Sequence, residues 1–225
     1  MLDVSESWQA AYPGAAIGLL AMSGVANPEG HPLLERRQAE TEAQLRSRYG
    51  GLDRSGLKAL PVLKAYAAYY RRFGKTYHLQ LQLESVVLKN RPLPKAAALV
   101  EAMFMAELDS LLLTAGHDLA ALQGKLSAEV ASGEETYTLL SGQQQKLKAG
   151  DMFIRDQEGV LSSVLYGPDL RSRLTSRTSS VLFTVYVPAG IERPAVMEHL
   201  AQLQANVLLV APGAQLQFLG VAAGV

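Results

Sequence analysis

The chain has no cysteine in 225 residues, a single tryptophan and four histidines. The first absence excludes disulfides, thiolate metal sites and thiol nucleophiles, and it suits a reducing cytoplasm. The histidines, His31, His78, His117 and His199, are scattered, and no spacing among them matches a zinc site, so neither a metal nor a cofactor is expected. There is no Gly-rich phosphate loop, no G-x-S-x-G elbow and no dinucleotide fingerprint, which removes the familiar nucleotide-binding and serine-hydrolase signatures. No run of about 18 apolar residues offers a membrane span. "AAIGLLAMSGVA" comes closest, but it is short and its Gly-rich ending suits a buried strand better. The N-terminus also lacks the basic start and long apolar run of a signal peptide, so a cytoplasmic protein with no membrane partner is expected. What remains is an ordinary globular composition, 48% hydrophobic and 19% charged, long enough to bury a large core. A single domain over residues 1–225 is expected.

The net charge of zero hides a segregation. From Arg54 to Lys95 there are nine cations (Arg54, Lys58, Lys64, Arg71, Arg72, Lys75, Lys89, Arg91 and Lys95) and one acid, Glu84. From Ala96 to Glu135 there are seven acids and only Lys125 against them. A polyanion meets the local field and not the sum, so the first block is a candidate nucleic-acid surface, with solvated helix faces as the plain alternative.

"WQAAYPGAAIGLLAMSGV" predicts a short helix, a Pro-Gly turn and a strand at about Ala15–Ser23. "HPLLERRQAETEAQLRSRYGG" predicts a helix closed by glycine. "LPVLKAYAAYYRRFG" repeats Leu60, Leu63, Ala67 and Tyr70 at helical spacing, and Gly74 can close it. "HLQLQLESVVLKN" alternates at first, yet its second half favours a helix. The clearest helix spans about Ala97–Leu113. Short β-rich runs follow, then an amphipathic helix in "ERPAVMEHLAQLQANV" and a strand in "QLQFLGV". The fold class is α+β, with helices packed on a largely antiparallel sheet.

On a helical wheel Leu99, Val100, Met103, Phe104 and Leu111 share one broad face of the Ala97–Leu113 helix, with Glu107 in its middle and Glu101 and Asp109 outside it. A carboxylate in an apolar face is paired, protonated or lining a cavity, because burying a bare charge is costly. Glu107 is therefore a candidate pocket acid. "TAGHDL" predicts a helix end, with Gly116 as its C-cap, His117 at the turn as a candidate base and Asp118 capping the next turn. The stretch "GPDLRSRLTSRTSSVLFTVYV" sets hydrogen-bond donors against a buried strand. If extended, it would put Arg171, Arg173, Thr175 and Arg177 on one side, a set suited to phosphate or ribose. A charge-guarded sheet edge is the plain alternative.

The segments "YYRRFG", "LPKAAALVEAM", "GEETYTLLSG", "IRDQEGVL" and "RSRLTSRT" occur in an order that resembles the B-three/B-four module of the bacterial phenylalanyl-tRNA synthetase β subunit, and more closely its free-standing relatives. The similarity is strongest over residues 66–187. The resemblance implies an α+β module that handles the aminoacyl end of a tRNA and hydrolyses mischarged aminoacyl esters. Against the synthetase pattern, Ala115 stands where a histidine is usual, and Pro168, Asp169 and Leu170 stand where a glycine-glycine-glutamate stretch is usual. Phe104 and Glu107 replace an Asn and a Ser of the free-standing relatives, which implies a pocket more apolar at one position and more acidic at the other.

The expected function is thus that of a trans-acting aminoacyl-tRNA deacylase. Glu107, His117 and Asp169 are the expected catalytic set, and Met103, Phe104, Arg171, Arg173, Thr175 and Thr178 the substrate contacts. Lys64, Arg71, Arg72, Lys75, Lys89, Arg91 and Lys95 are the expected tRNA contacts; a DNA partner is not expected. A non-catalytic RNA-binding module and a small-molecule (amino acid or metabolite) binding protein are the alternatives.

Overall fold

The computed structural model of the protein describes residues 2–222. Its elements run β1 (Leu2–Val4), α1 (Glu6–Ala11), β2 (Ala16–Ser23), α2 (Pro32–Tyr49), α3 (Arg54–Lys58), α4 (Pro61–Arg71), α5 (His78–Leu88) and α6 (Ala98–Ser110). Then come β3 (Leu113–Asp118), a 3-10 turn (Leu119–Ala121), β4 (Leu126–Val130), β5 (Thr136–Thr138), β6 (Gln144–Lys146), β7 (Met152–Arg155), β8 (Val160–Ser163), β9 (Gly167–Pro168), β10 (Ser180–Val187), α7 (Arg193–Val210) and β11 (Gln215–Ala222). This is the α+β order expected of the sequence.

One sheet has four strands in the order β11-β2-β10-β3, all antiparallel. A second has five, β1-β4-β7-β8-β9, antiparallel except where β1 runs parallel to β4. β5 and β6 pair apart from both. β10 is central and buried almost throughout, which suits its β-branched and aromatic sequence SVLFTVYV. β2 is its neighbour and takes up most of the apolar run "AAIGLLAMSGVA". Gly18 within β2 permits the packing: a Cβ there would lie 2.9 Å from Val196 of α7 and 3.1 Å from Val185 of β10.

α5 is helical despite its alternating start, because Leu79, Leu83 and Val86 are buried at helical spacing while Leu81 faces out. α4 begins with Pro61, and Gly74 takes the left-handed conformation that turns the chain after it, at φ 67°. Tyr66 of α4 stacks on Tyr77 with ring centroids 4.2 Å apart. Its hydroxyl donates to the Tyr186 carbonyl and accepts the Leu113 amide, so one side chain ties the helical layer to β10 and β3.

Four local expectations are corrected. α6 stops at Ser110, where Leu111 takes a left-handed conformation at φ 65°, and "LTAGHD" is a strand, not a helix end. Gly116 is consequently not a C-cap: it faces Phe183 in β10, and a Cβ there would meet Leu174 at 2.9 Å. The wheel placed Glu101 outside the buried face, yet Glu101 is buried and Met103 and Phe104 are only half-buried. α6 is enclosed by α2, α5, α7 and β3, so burial extends well beyond one stripe. Residues 171–177 form successive turns and not an extended edge, so the proposed alternation of Arg171, Arg173, Thr175 and Arg177 does not exist. Asp118 does cap the next turn, its Oδ1 accepting the Ala120 amide at 3.1 Å.

Candidate active site and nucleic-acid interface

His117 lies in β3 and is wholly buried. Its Nδ1 is 2.7 Å from Ser172 Oγ, and its Nε2 is 3.2 Å from Ser162 Oγ. Ser172 Oγ gives its only proton to Asp169 Oδ1, so it must accept from His117. The network therefore assigns the Nδ1–H tautomer, leaving Nε2 to accept the Ser162 hydroxyl proton. Tyr186 continues the chain, with its Oη 2.7 Å from Ser162 Oγ and 2.8 Å from the Ser162 carbonyl. Burial, helped by the Arg171 cation, pushes the His117 imidazole down to about 4, so it is neutral at ordinary pH. Asp169 and His117 are thus brought together, through Ser172, as parts of a saturated buried chain.

Glu107 stands apart from that chain. It is fully buried on α6, and its Oε1 accepts the Thr114 amide at 2.7 Å. Burial raises its carboxyl to about 8, which the Thr114 hydrogen bond offsets only in part. Its surroundings beneath β3 favour the protonated form, one of the three states open to an acid in an apolar face.

The arginines and threonines of residues 171–178 are also mostly engaged internally. Arg171 holds both oxygens of Asp156, at 2.9 and 3.0 Å, and the Ala121 carbonyl at 2.7 Å. Thr178 donates to Asp118 at 2.8 Å and accepts the Thr175 amide, and the Thr175 carbonyl accepts from Asn27. Arg173 is exposed; it donates to the Leu170 carbonyl at 2.8 Å and, with Arg171 and Asp169, lines an open cleft of about 410 Å³. Phe104 lines a small apolar pocket of about 100 Å³ with His78, Leu79, Gln82, Leu93, Pro94 and Leu108. Met103 packs half-buried against the core.

A different pocket, of about 200 Å³, opens between β3, β10 and the turn after β8. Ala115 and Thr114 form one wall, Ser163 to Gly167 another, and Tyr186 and His78 complete it. His78 thus borders both this pocket and the apolar one that holds Phe104. Its imidazole pKa is lowered by burial of part of the ring. Behind Ser163 lies Asp151, fully buried, whose Oδ1 accepts the Tyr69 hydroxyl at 2.5 Å. Burial outweighs the Tyr69 hydrogen bond and the pull of Lys75, and its carboxyl rises to about 6. Sequence reading passed over His78, Asp151, Ser163 and Tyr186. Only His78 carried a signal, as one of four histidines, and its position in an alternating run concealed it.

A cavity of about 740 Å³ forms a groove between α3, α4 and α5 lined by Arg54, Lys58, Lys64, Arg71 and Lys75, with Gln80 and Leu81 on its α5 side. Of the expected nucleic-acid contacts, Lys64, Arg71 and Lys75 meet there. Arg72 turns away, over the rings of Tyr12 and Phe73. Lys89 and Arg91 lie exposed at the far end of α5, and Lys95 pairs with Glu35 at 3.2 Å. Lys75 joins the groove to the 200 Å³ pocket: its Nζ sits 3.9 Å from the Tyr166 ring centroid and 3.4 Å from the Leu165 carbonyl, both in the pocket wall.

The sequence profile of the B3/4 domain family matches residues 64–200. The chain belongs to the B3/4 domain family. The matched span contains most of the groove helix α4, both strands of the pocket wall and the His117 chain. An N-terminal fragment of the phenylalanyl-tRNA synthetase β subunit from Pyrococcus horikoshii has a similar fold, at 12% identity and a TM-score of 0.50. The likeness covers 99% of this chain and 54% of that one, so this B3/4 protein spans about half the length of its structural neighbour. No curated protein sequence matches the chain. Among the described residues no cluster of His, Asp and Glu is arranged to hold a metal ion, and no helix is long and apolar enough to cross a membrane.

Proposed function

We propose that this B3/4 protein is a tRNA-associated, trans-acting aminoacyl-tRNA deacylase whose reaction takes place in the 200 Å³ pocket. One observation carries the reading. Ala115, at the position where the resemblance expects a histidine, lines this pocket together with Gly167, the residue before the Pro168–Leu170 stretch, and Lys75 joins that pocket to a cation-lined groove.

The chemistry required is addition of water to the ester carbonyl, cleavage of the acyl–ribose bond and return of a proton to the ribose oxygen. Ala115 supplies no base, and His117 has both ring nitrogens occupied. His78 is the imidazole at the pocket, and partial burial lowers its pKa and favours the neutral ring, so it is the group proposed to orient the water. The neighbouring ribose hydroxyl of the tRNA can assist. Val164, Leu165 and Leu113 offer an apolar surface to the amino acid side chain, with Phe104 beyond His78. Glu107 acts from beneath, fixing the Thr114 amide, while Asp169 and His117 hold Tyr186 through Ser172 and Ser162. These are positioning roles.

The test is loss of the aminoacyl group from a panel of mischarged tRNAs, comparing wild type with His78→Ala, Glu107→Ala, His117→Ala and Asp169→Ala. Deacylation that falls about a hundredfold in His78→Ala supports the assignment. No deacylation across the panel leaves the second reading, an RNA-binding module without hydrolysis. That reading is favoured by the lack of any carboxylate in the pocket lining.

A further inference from the structure

The groove between α3, α4 and α5 is charged in an unusual way. Its lining contains five cations and no acid. Arg54 is partly neutralised by Glu84, to which Gln80 also donates, at 3.0 and 2.8 Å. Lys58, Lys64 and Arg71 are exposed, and among the described residues no hydrogen bond or ion pair ties down their side chains. Lys75 leans toward the Leu165 carbonyl at the pocket end. Four cations are therefore available along one concave path, and a polyanion is the ligand class that satisfies them together. A flat anionic membrane fits a groove poorly.

The groove is equally informative in what it does not present. Its floor is Ala67, Ala68 and Leu81, and its one aromatic side chain, Tyr77, is 1% exposed and stacked on Tyr66. Stacking of splayed bases on a single strand uses exposed aromatic platforms, and the groove presents none. Gln80, the groove's amide side chain, is committed to Glu84.

We propose that the α3–α4–α5 groove binds the phosphate backbone of a single RNA strand leading to the 200 Å³ pocket, with Lys58, Lys64, Arg71 and Lys75 as the contacts and without reading the bases. This deepens the tRNA reading by naming its contact face, and it is tested on RNA with no aminoacyl group, so that hydrolysis can fail without it.

The probe is a fluorescent RNA hairpin with an unpaired 3′ tail, titrated at several salt concentrations. Four neutralised phosphates on a single strand give a slope of log K against log salt of about −3. The triple variant Lys58→Glu/Lys64→Glu/Arg71→Glu is expected to bind at least about thirtyfold more weakly at low salt and to lose most of that slope. Its melting temperature reports whether it still folds, and because these exposed side chains have no partner among the described residues it is expected to. A charge-matched control, Arg36→Glu/Lys125→Glu/Lys146→Glu, alters exposed cations outside the groove and is expected to keep affinity within about threefold. Scrambling the tail sequence is expected to change affinity less than about threefold. The proposal is overturned by a folded groove variant that binds like wild type, by equal weakening in the control, or by no RNA binding at low salt. A strong preference for one tail sequence, or competition by polyglutamate as effective as by RNA, overturns it as well.

Discussion

His117 and His78 represent two kinds of polar region in one fold. His117 lies in a sheet with each ring nitrogen committed to a serine, in a chain that runs from Asp169 to Tyr186. His78 opens an α-helix at the rim of two pockets, beside the ridge from which Lys75 reaches across to Tyr166. By residue type and by its setting in "TAGHDL", His117 is the more attractive candidate base. By unused hydrogen-bonding capacity it is the poorer one. A buried polar group that is fully satisfied contributes rigidity and a defined core, and it has nothing left to offer a substrate. A ligand-facing group is recognised by what remains unpaired.

Substitutions can break this comparison. His117→Ala is expected to have the largest effect on stability, about 3 kcal/mol, because it leaves a cavity and strands the Ser172 and Ser162 hydroxyls. Chemical denaturation measures it. Unchanged stability with lost deacylation would reverse the roles assigned to the two histidines.

Glu107→Gln sharpens the comparison through pH. A carboxyl raised to about 8 holds its proton more readily folded than unfolded. The stability it gives is therefore complete below the ordinary glutamate range and is lost as pH rises through about 8. The glutamine variant, which cannot ionise, should gain on the order of 4 kcal/mol on wild type between pH 5 and pH 8.5. His117 has the opposite sign: its imidazole is lowered from 6.5 to about 4, so stability is lost as pH falls through that window. Denaturation curves for wild type, Glu107→Gln and His117→Ala at pH 4.5, 6.5 and 8.5 separate the two.

Arg171→Ala is expected to cost about 2 kcal/mol, less than a fully buried pair because the guanidinium is partly exposed. It leaves the Asp156 carboxylate without its cation. RNA affinity should not change, since Arg171 is committed to Asp156 and lies outside the groove; a loss of affinity greater than threefold would restore the 171–178 loop as an RNA contact. At the other end of the scale, His78→Ala should shift stability by no more than about 0.5 kcal/mol while deacylation falls about a hundredfold. A change confined to stability would remove His78 from the site.

Much of the fold was legible in the sequence because its signals are local. Periodicity marked α4 and α7, a β-branched apolar run marked β10, and a left-handed glycine position closed α4 at Gly74. The boundary errors around α6 have a physical cause: the last turn and β3 are both apolar, and Leu111, a leucine in a left-handed conformation, ends the helix where glycine was expected. The site was less legible. The burial of Glu107 was legible because an acid in an apolar face is a local contradiction. Asp151, Ser163 and His78 were missed because each is unremarkable among its sequence neighbours and acquires meaning only across the fold.

The sequence by itself determined the fold class, the charge segregation and the family, all of which reside in composition, periodicity and the order of motifs. Tertiary structure alone decided which of those charges are free. Arg171 and Lys64 look alike in a sequence, but one is wrapped by Asp156 and the other faces a groove without an acid. Whether a polar side chain is spent on the fold or left for a ligand depends on partners distant in the chain, and local pattern carries no record of them.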